Sequence, residues 1–291
     1  MITDYIKGRI VTFLGKYSKN GKASFIVSYI HNRRKMPNLK NPKDLSEILI
    51  KRVLDGEVNK VAYLADKYAV RKYVEERGFS SILTKLITVY ETPNQIDWVS
   101  LPPRFALKAN FGAGNNLICT DKEVLNINEA QAIVDSWYEQ HHYSESERHY
   151  NLIPRKIICE EYIDDGSGGF PIDYKFMCIR GKVHCILGVY GREEGKDSYM
   201  PYSLDWQPIP SYYRGTSTAS IMLPKPNNLD EMIDVAERLS DGIDFVRVDL
   251  YSNGSKIWFG EMTLTPAGCI LHRWTQKALD EMGALYRHST L

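Results

Sequence analysis

Two short runs in the last fifty residues carry side chains suited to charge chemistry: Phe245-Val246-Arg247-Val248-Asp249-Leu250-Tyr251 and Lys256-Ile257-Trp258-Phe259-Gly260-Glu261-Met262-Thr263. Strand side chains alternate faces, so Arg247, Asp249 and Tyr251 share one face and Val246, Val248 and Leu250 the other. Glu261 and Thr263 likewise share a face. The intervening Ser252-Asn253-Gly254-Ser255 reads as a tight hairpin turn with positive φ at both Asn253 and Gly254. An arginine and two acids on paired strands have two readings. They form ion pairs on an exposed sheet face, or they surround a divalent cation and a phosphate. Hard cations take carboxylate oxygens, and the guanidinium fork fits phosphate or another oxyanion.

Three further runs have chemical potential. Lys108 to Asn116 is a strand lysine followed by a loop holding Gly112 and Gly114. Backbone N–H groups of such a loop cradle phosphate, and the lysine adds a point charge. The GK[ST] signature of a P-loop is missing, so a plain hairpin turn fits as well. Cys159-Glu160-Glu161-Tyr162-Ile163 is a strand running into a glycine-rich joint; it is either a buried strand with an acidic end or an extended segment able to pair with an adenine edge. Asp173-Tyr174-Lys175 sets an acid and a lysine on one strand face, as a cross-strand ion pair or as ligand contacts.

The elements that must position these residues follow from periodicity. Residues 1–60 read as helical and irregular, with Ile6, Ile10 and Leu14 at helical spacing and a break at Pro37–Pro42. Asp44 or Ser46 caps the next helix, Asp66 another ended by Gly78. Strands are expected at 87–90, 104–109, 116–120 and 156–163, with a helix at about 128–142. Asp164–Gly169 is a flexible joint. A hairpin spans 173–187, and residues 190–226 lack periodicity. Helices at about 229–239 and 274–286 flank the opening hairpin.

Composition is that of an ordinary globular chain: 291 residues, 43% hydrophobic, 25% charged, net charge +1. Nothing in that balance points to nucleic acid. The charge is uneven, because Lys7, Arg9, Lys16, Lys19, Lys22, Arg33, Arg34, Lys35 and Lys40 crowd the first forty residues, where Asp4 is the one acid. Such a leader is a solvated helix face or a peripheral contact with the anionic inner face of a membrane. The five cysteines never occur as C-x-x-C, which argues for a reducing compartment and against a zinc site or disulfide framework. With no spanning run and no signal-peptide core, the expected location is cytoplasmic.

The order of these motifs resembles the ATP-grasp superfamily, and within it the TupA-like branch found in bacterial cell-surface polysaccharide synthesis. The branch resemblance rests on Pro37–Lys43, Leu64–Arg71, Ile158–Tyr162, Asp173–Phe176, Leu204-Asp205-Trp206, Phe245–Asp249 and Phe259–Thr263, and covers roughly residues 30–270. It implies an α+β ATP-grasp fold in which two α+β subdomains, 66–163 and 164–291, grip ATP between them after a mostly helical N-terminal segment, 1–65. It implies phosphate contacts from Lys67 and Lys108 and a closing loop at Gly112 and Gly114. The adenine hinge would run from Glu160 through Glu161 and Tyr162 to Ile163, with Asp173 beside the nucleotide. Asp249 and Glu261 would hold magnesium ions, Arg247 would steady the acyl phosphate and tetrahedral intermediate, and Lys175 would lie near the γ-phosphate. Thr263 stands where many of these ligases have asparagine, and Gly188–Tyr202 departs from the branch pattern.

The implied reaction is ATP-dependent ligation of a carboxylate to an amine through an acyl phosphate, with Mg2+ between the phosphates. By analogy the acid is a uronic acid or an amino-acid carboxylate and the amine an amino acid or amino sugar. Alternatives are a kinase acting on a small molecule or glycan, for which His184 and His272 are possible acceptors, and a non-catalytic nucleotide-binding module of a polysaccharide assembly complex.

Overall fold

Residues 21–139, 143–166, 168–191, 197–215 and 222–288 are described in the computed structural model. Ile6, Ile10, Leu14 and the basic residues Lys7, Arg9, Lys16 and Lys19 lie outside them. Among the described residues, strands form two antiparallel sheets. The first holds β1 (Leu86–Tyr90), β2 (Phe105–Ala109), β3 (Asn116–Cys119) and β4 (Ile157–Glu161) in the order β1-β4-β2-β3. The second holds β5 (Asp173–Ile179), β6 (Lys182–Tyr190), β7 (Ser198–Tyr202), β8 (Phe245–Ser252) and β9 (Ile257–Thr263) in the order β7-β6-β5-β8-β9.

Each sheet has one apolar face under a helix, which leaves the other face for chemistry. The helices are α1 (Lys22–Arg33), α2 (Leu45–Leu54), α3 (Glu57–Lys60), α4 (Val70–Glu76), α5 (Ile127–Glu139), α6 (Leu229–Ser240) and α7 (Gln276–Arg287). Ala130, Val134 and Trp137 make the buried stripe of α5, and Phe105, Leu107 and Cys159 are buried in the first sheet. Beneath α6, whose Met232, Val235, Ala236 and Leu239 are buried, lie Phe176, Cys178, Val246, Val248 and Leu250. The alternation read at Val246, Val248 and Leu250 therefore buries as expected.

The N-terminal helices brace the second sheet from outside. Buried Asp44 caps α2 by accepting from Glu47 N at 3.0 Å and accepts from Tyr29 Oη at 2.7 Å and Gln276 Nε2 at 3.1 Å, joining α1, α2 and α7. Part of the basic leader is engaged here: Arg33 is buried and donates to Trp274 O at 2.8 Å, and Lys35 pairs with Asp44 at 3.1 Å.

Four local readings differ from the structure. The helix after Asp66 begins at Val70, because Asp66 Oδ1 accepts from Tyr68 N and Ala69 N and closes a turn first. Only Gly254 of the Asn-Gly pair has positive φ, 88°. Asn253 makes the turn with its side chain instead, accepting from Ser255 N and Lys256 N at 3.1 and 2.8 Å. The aperiodic 190–226 stretch contains β7, whose Pro201 is tolerated because β7 is an edge strand. Finally, β8 and β9 carry a bulge: Asp249 faces Glu261 but Leu250 faces Phe259, so Gly260 is the extra residue. A Cβ there would lie 2.9 Å from Asp249 O, which is why the position is glycine.

Gly283 in α7 has a similar steric role. A Cβ there would lie 2.0 Å from Lys43 O and 3.0 Å from Asp44 Cα, both backbone. Gly283→Ala should therefore destabilise the fold by about 1–3 kcal/mol through overpacking. Thermal unfolding measures it, and an unchanged midpoint would contradict the close packing of α7 on the turn before α2.

Candidate functional site: two charged sheet faces meeting at Lys67 and Glu261

On the second sheet, register determines which side chains meet. Lys175 lies opposite Asp249, Asp173 opposite Tyr251, Arg247 opposite Thr263 and Asp249 opposite Glu261. Arg247 Nε and Nη2 grip Asp249 at 2.6 and 2.7 Å, and Nη2 also reaches Glu261 Oε1 and Thr263 Oγ1, each at 2.9 Å. Thr263 Oγ1 donates to Glu261 Oε1 at 2.7 Å. Lys175 Nζ bridges Asp173 at 2.7 Å and Asp249. Asp173 and Asp249 are both 2% exposed, so the exposed-sheet reading of this face fails for their pairs with Lys175 and Arg247, which are buried, while Glu261 at the rim is half-buried.

Burial and partners set the charge states. Burial alone would raise the Glu261 carboxyl, but Arg247, Lys67 and Lys175 outweigh it and bring it down to about 2. Burial raises Asp249, against the pull of Arg247 and Lys175, with Asp173 and Glu261 adding to the rise. Burial opposes the Arg247 charge, yet Asp249 and Glu261 hold it protonated well above its usual range.

The first sheet presents a second cluster on its inner face. Ala106, Lys108 and Glu160 share that face through the β2–β4 register. Glu160 is 5% exposed and accepts from Lys108 Nζ at 2.6 Å, Arg71 Nη1 at 2.6 Å and Thr84 Oγ1 at 2.7 Å. Burial would raise this carboxyl; Lys108 foremost, with Thr84 and Arg71, lowers it instead. Glu161 points the opposite way and is exposed. Tyr162 and Ile163 continue beyond the end of β4.

Lys67 joins the two clusters. It donates to Gly112 O at 2.8 Å, and its pKa falls through burial and through Lys108 while Glu261 of the opposite sheet pulls it upward. Gly112 is sterically required: its φ is 75°, and a Cβ would overlap the Tyr143 hydroxyl at 2.1 Å. Gly114 has φ 78° and open space around it.

Two cavities flank this meeting point. One, about 250 Å³, is lined by Ala106, Lys108, Ile118, Tyr162, Ile163 and Tyr251 among others. The other, about 200 Å³, opens between Arg247, Lys175 and the segment before α7.

The profile of the family described as TupA-like ATPgrasp matches residues 47–286. The chain belongs to this family. Its fold is accordingly the ATP-grasp fold, α+β, with a helical N-terminal region. No curated protein matches the sequence. Among solved structures, the D-alanine–D-alanine ligase from Bacillus anthracis complexed with ATP is similar with a TM-score of 0.41 at 13% identity, over 73% of this chain and 62% of that one. The chain thus spans less than two thirds of that ligase. The D-alanine–D-alanine ligase from Helicobacter pylori has a TM-score of 0.46 at 14% identity, over 79% and 69%. The ATP-grasp ligase PsnB, complexed with a phosphomimetic variant of a minimal precursor, Mg and ADP, has a TM-score of 0.45 at 11% identity, over 83% and 66%.

The structure of this ATP-grasp chain thus brings Arg247, Lys175, Asp173, Asp249, Glu261 and Thr263 together on one sheet face. Lys67, Lys108, Gly112 and Glu160 gather on the other side. Glu161, although its side chain leaves the opposite face of β4, also lines the first cavity with Tyr162 and Ile163. Of the histidines, His184 is stacked on Tyr212 away from this face, whereas His272 lines the second cavity. Nothing in the sequence marks Arg71 or Thr84 as a site residue, yet both hold Glu160. Arg71 lies in the first turn of α4 and Lys67 in the turn before it, so helical spacing does not link the two. Thr84 had no signal.

For magnesium, the donor chemistry fits a hard cation: two carboxylates, Asp249 and Glu261, and the Thr263 hydroxyl, all oxygen. As folded these donors face Arg247 and Lys175. Among the described residues no group of three or more His, Cys, Asp or Glu is arranged to hold a metal ion.

Glu261 makes a pH prediction. Its folded pKa, about 2, lies below its usual 4.5, so its stabilising effect is complete above about 4.5 and is lost as pH falls toward 2. Wild type should lose stability through that window, and Glu261→Gln should lose less. Denaturant titrations at stepped acid pH measure the difference; parallel curves would contradict the pairing.

Proposed function

We propose that the chain is an ATP-dependent carboxylate–amine ligase, with ATP gripped between the sheet-bearing units 66–163 and 164–291. The observation that carries this reading is Lys67. A cation from the first unit lies within electrostatic reach of Lys108 beside it and Glu261 across from it, so phosphate-binding and acidic groups from both units meet between two cavities. In this reading the cavity at Ala106, Tyr162 and Ile163 takes the purine, with Lys108 and Lys67 on the phosphates. Gly112 lets the loop backbone approach them closely.

Asp249, Glu261 and Thr263 would hold magnesium, which supplies charge neutralisation at the β- and γ-phosphates when bound. The residues themselves do the rest. Lys175 and Arg247 face the point where the γ-phosphoryl group moves. A carboxylate oxygen of the acid attacks the γ-phosphorus, the bond to the β-phosphate oxygen breaks, and ADP leaves. The amine nitrogen then attacks the acyl carbon, the bond to phosphate breaks, and phosphate departs with the amine proton passing to solvent. Arg247, with its fork preset by Asp249, stabilises the oxyanion of that step. The remaining share of the protein is positioning and exclusion of water.

The finer reading is by family analogy. The acid is a uronic acid or amino-acid-bearing sugar of bacterial cell-surface polysaccharide synthesis, made in the cytoplasm where ATP is available. The basic leader would touch the inner membrane face; among the described residues no helix is long and apolar enough to cross a membrane.

Lys108→Ala should abolish stabilisation by Mg·ATP in a thermal melt, since it removes a phosphate contact while Glu160 keeps Arg71 and Thr84. Arg247→Lys should keep that stabilisation but lower turnover by about 100-fold, the scale of losing one oxyanion donor. ADP should appear only when both an acid and an amine are supplied, and the product should be an amide. ADP release without amine, with phosphate retained on the product, would replace this reading by a kinase. Unaltered nucleotide stabilisation in Lys108→Ala would overturn the nucleotide assignment.

A further inference from the structure

The second cavity has a composition that the nucleotide does not use. Arg247 and Lys175 form its inner end; Arg273 and His272 lie at its outer end; Tyr199, Tyr213 and Trp274 supply apolar wall. Among the described residues no acidic one lines it. Behind it, Asp173, Asp249 and Glu261 already balance Lys175 and Arg247. Arg273 is different. It is exposed, its guanidinium lies 4.6 Å over the Tyr199 ring, and among the described residues no carboxylate is within ion-pair distance of it.

The wall is also fixed rather than loose. Tyr213 and Trp274 form a bridge between their strands of chain, Arg214 N donates to Arg273 O at 2.6 Å, and Thr275 N donates to Tyr212 O at 2.8 Å. Arg33 of α1 braces the same ladder from behind through Trp274 O. Tyr199 and Tyr213 stack with centroids 5.6 Å apart, and Trp274 meets Tyr213 edge-on at 5.4 Å. Tyr213 lines the cavity together with Arg273 and Arg247. Ala267, on the cavity wall, holds a left-handed φ of 49°, strain of a kind that gathers at functional sites.

We infer that this cavity takes the acid substrate, and that the substrate is a ring-bearing acid with two negative groups. The reacting carboxylate lies at Arg247 and Lys175, the ring lies against Tyr213 and Tyr199, and the second anionic group is read by Arg273. Aromatic faces accept the apolar face of a ring, and a guanidinium with no carboxylate partner among the described residues selects for a second oxyanion. Arg273 is thereby the specificity-determining residue of the site. The inference rests on the ligase reading above, because that reading is what makes the inner end of the cavity the reaction point.

The test uses glucuronate 1-phosphate, with two anionic groups on one ring, and methyl glucuronoside, the same ring with one. Each is titrated calorimetrically into full-length protein saturated with magnesium and a non-hydrolysable ATP analogue. The dianion should bind about tenfold or more tighter than the monoanion, the scale of one charge-assisted contact. Arg273→Gln should erase the difference and Arg273→Lys restore part of it, with unchanged melting temperatures and unchanged nucleotide binding. Equal affinity for the two probes, a preference that survives Arg273→Gln, or no binding of either at millimolar concentration while the nucleotide still binds would overturn the inference and leave the ligase reading standing. Absence of nucleotide binding in wild type would overturn both.

Discussion

A buried cation–carboxylate network is the constraint on which the rest of this molecule depends. Asp173 and Asp249 are almost wholly removed from water, and desolvating an ion costs several kcal/mol unless a partner offsets it. Lys175 and Arg247 are those partners, and Arg247 extends the compensation to Glu261 and Thr263. A second carboxylate, Glu160, is handled the same way on the facing sheet by Lys108, Arg71 and Thr84. Buried ion pairs are weak evidence for stability, since apolar replacements often serve as well. Their presence on both inner faces, with the apolar faces turned to helices, fits a site that must bind charge. In the proposed function the internal cations hold the positions of phosphate and metal charge, and binding exchanges one set of counter-charges for another.

Local backbone devices aim that network. The bulge at Gly260 lets Asp249 face Glu261 while Leu250 still packs into the core opposite Phe259. Without the extra residue, β9 would present its alternate set of side chains beyond that point. On the other sheet, glycine at 112 makes room for Tyr143 and leaves a carbonyl for Lys67. The N-terminal helices act at a distance: Asp44 and Arg33 clamp the start of α7 and the ladder at Trp274, which fixes one wall of the second cavity.

Much of this was legible in the sequence, and the exceptions have physical reasons. The strand alternation at Val246 to Tyr251 told which face carried Arg247 and Asp249, because a half-buried strand writes its burial into its composition. Glycine loops are equally readable, whereas the choice between Asp44 and Ser46 as the cap is settled only by the bond from Glu47 N to Asp44. Register was not, so the meeting of Lys175 with Asp249 and of Arg247 with Thr263 came only with pairing. The inward Glu160 and outward Glu161 are chemically alike, and only the β2–β4 register distinguishes them. The usual Asn-Gly turn requires a left-handed Asn253, but the Asn253 side chain offers another way to close the turn. Pro201 concealed β7, since proline argues against a strand unless the edge position is known. Arg273 and Tyr199, seventy-four residues apart in number, had no shared pattern at all; the fold brings them to one cavity.

Crystallising the protein with magnesium and a non-hydrolysable ATP analogue tests directly whether the two charged faces hold a nucleotide. The purine should lie in the cavity at Tyr162 and Ile163, the terminal phosphates within contact of Lys67 and Lys108, and a metal ion on Asp249 and Glu261, with the ammonium of Lys175 or the fork of Arg247 displaced from one carboxylate to admit it. Nucleotide bound elsewhere, or bound with no metal and every ion pair of the Arg247–Asp249–Lys175 network unchanged, would contradict it.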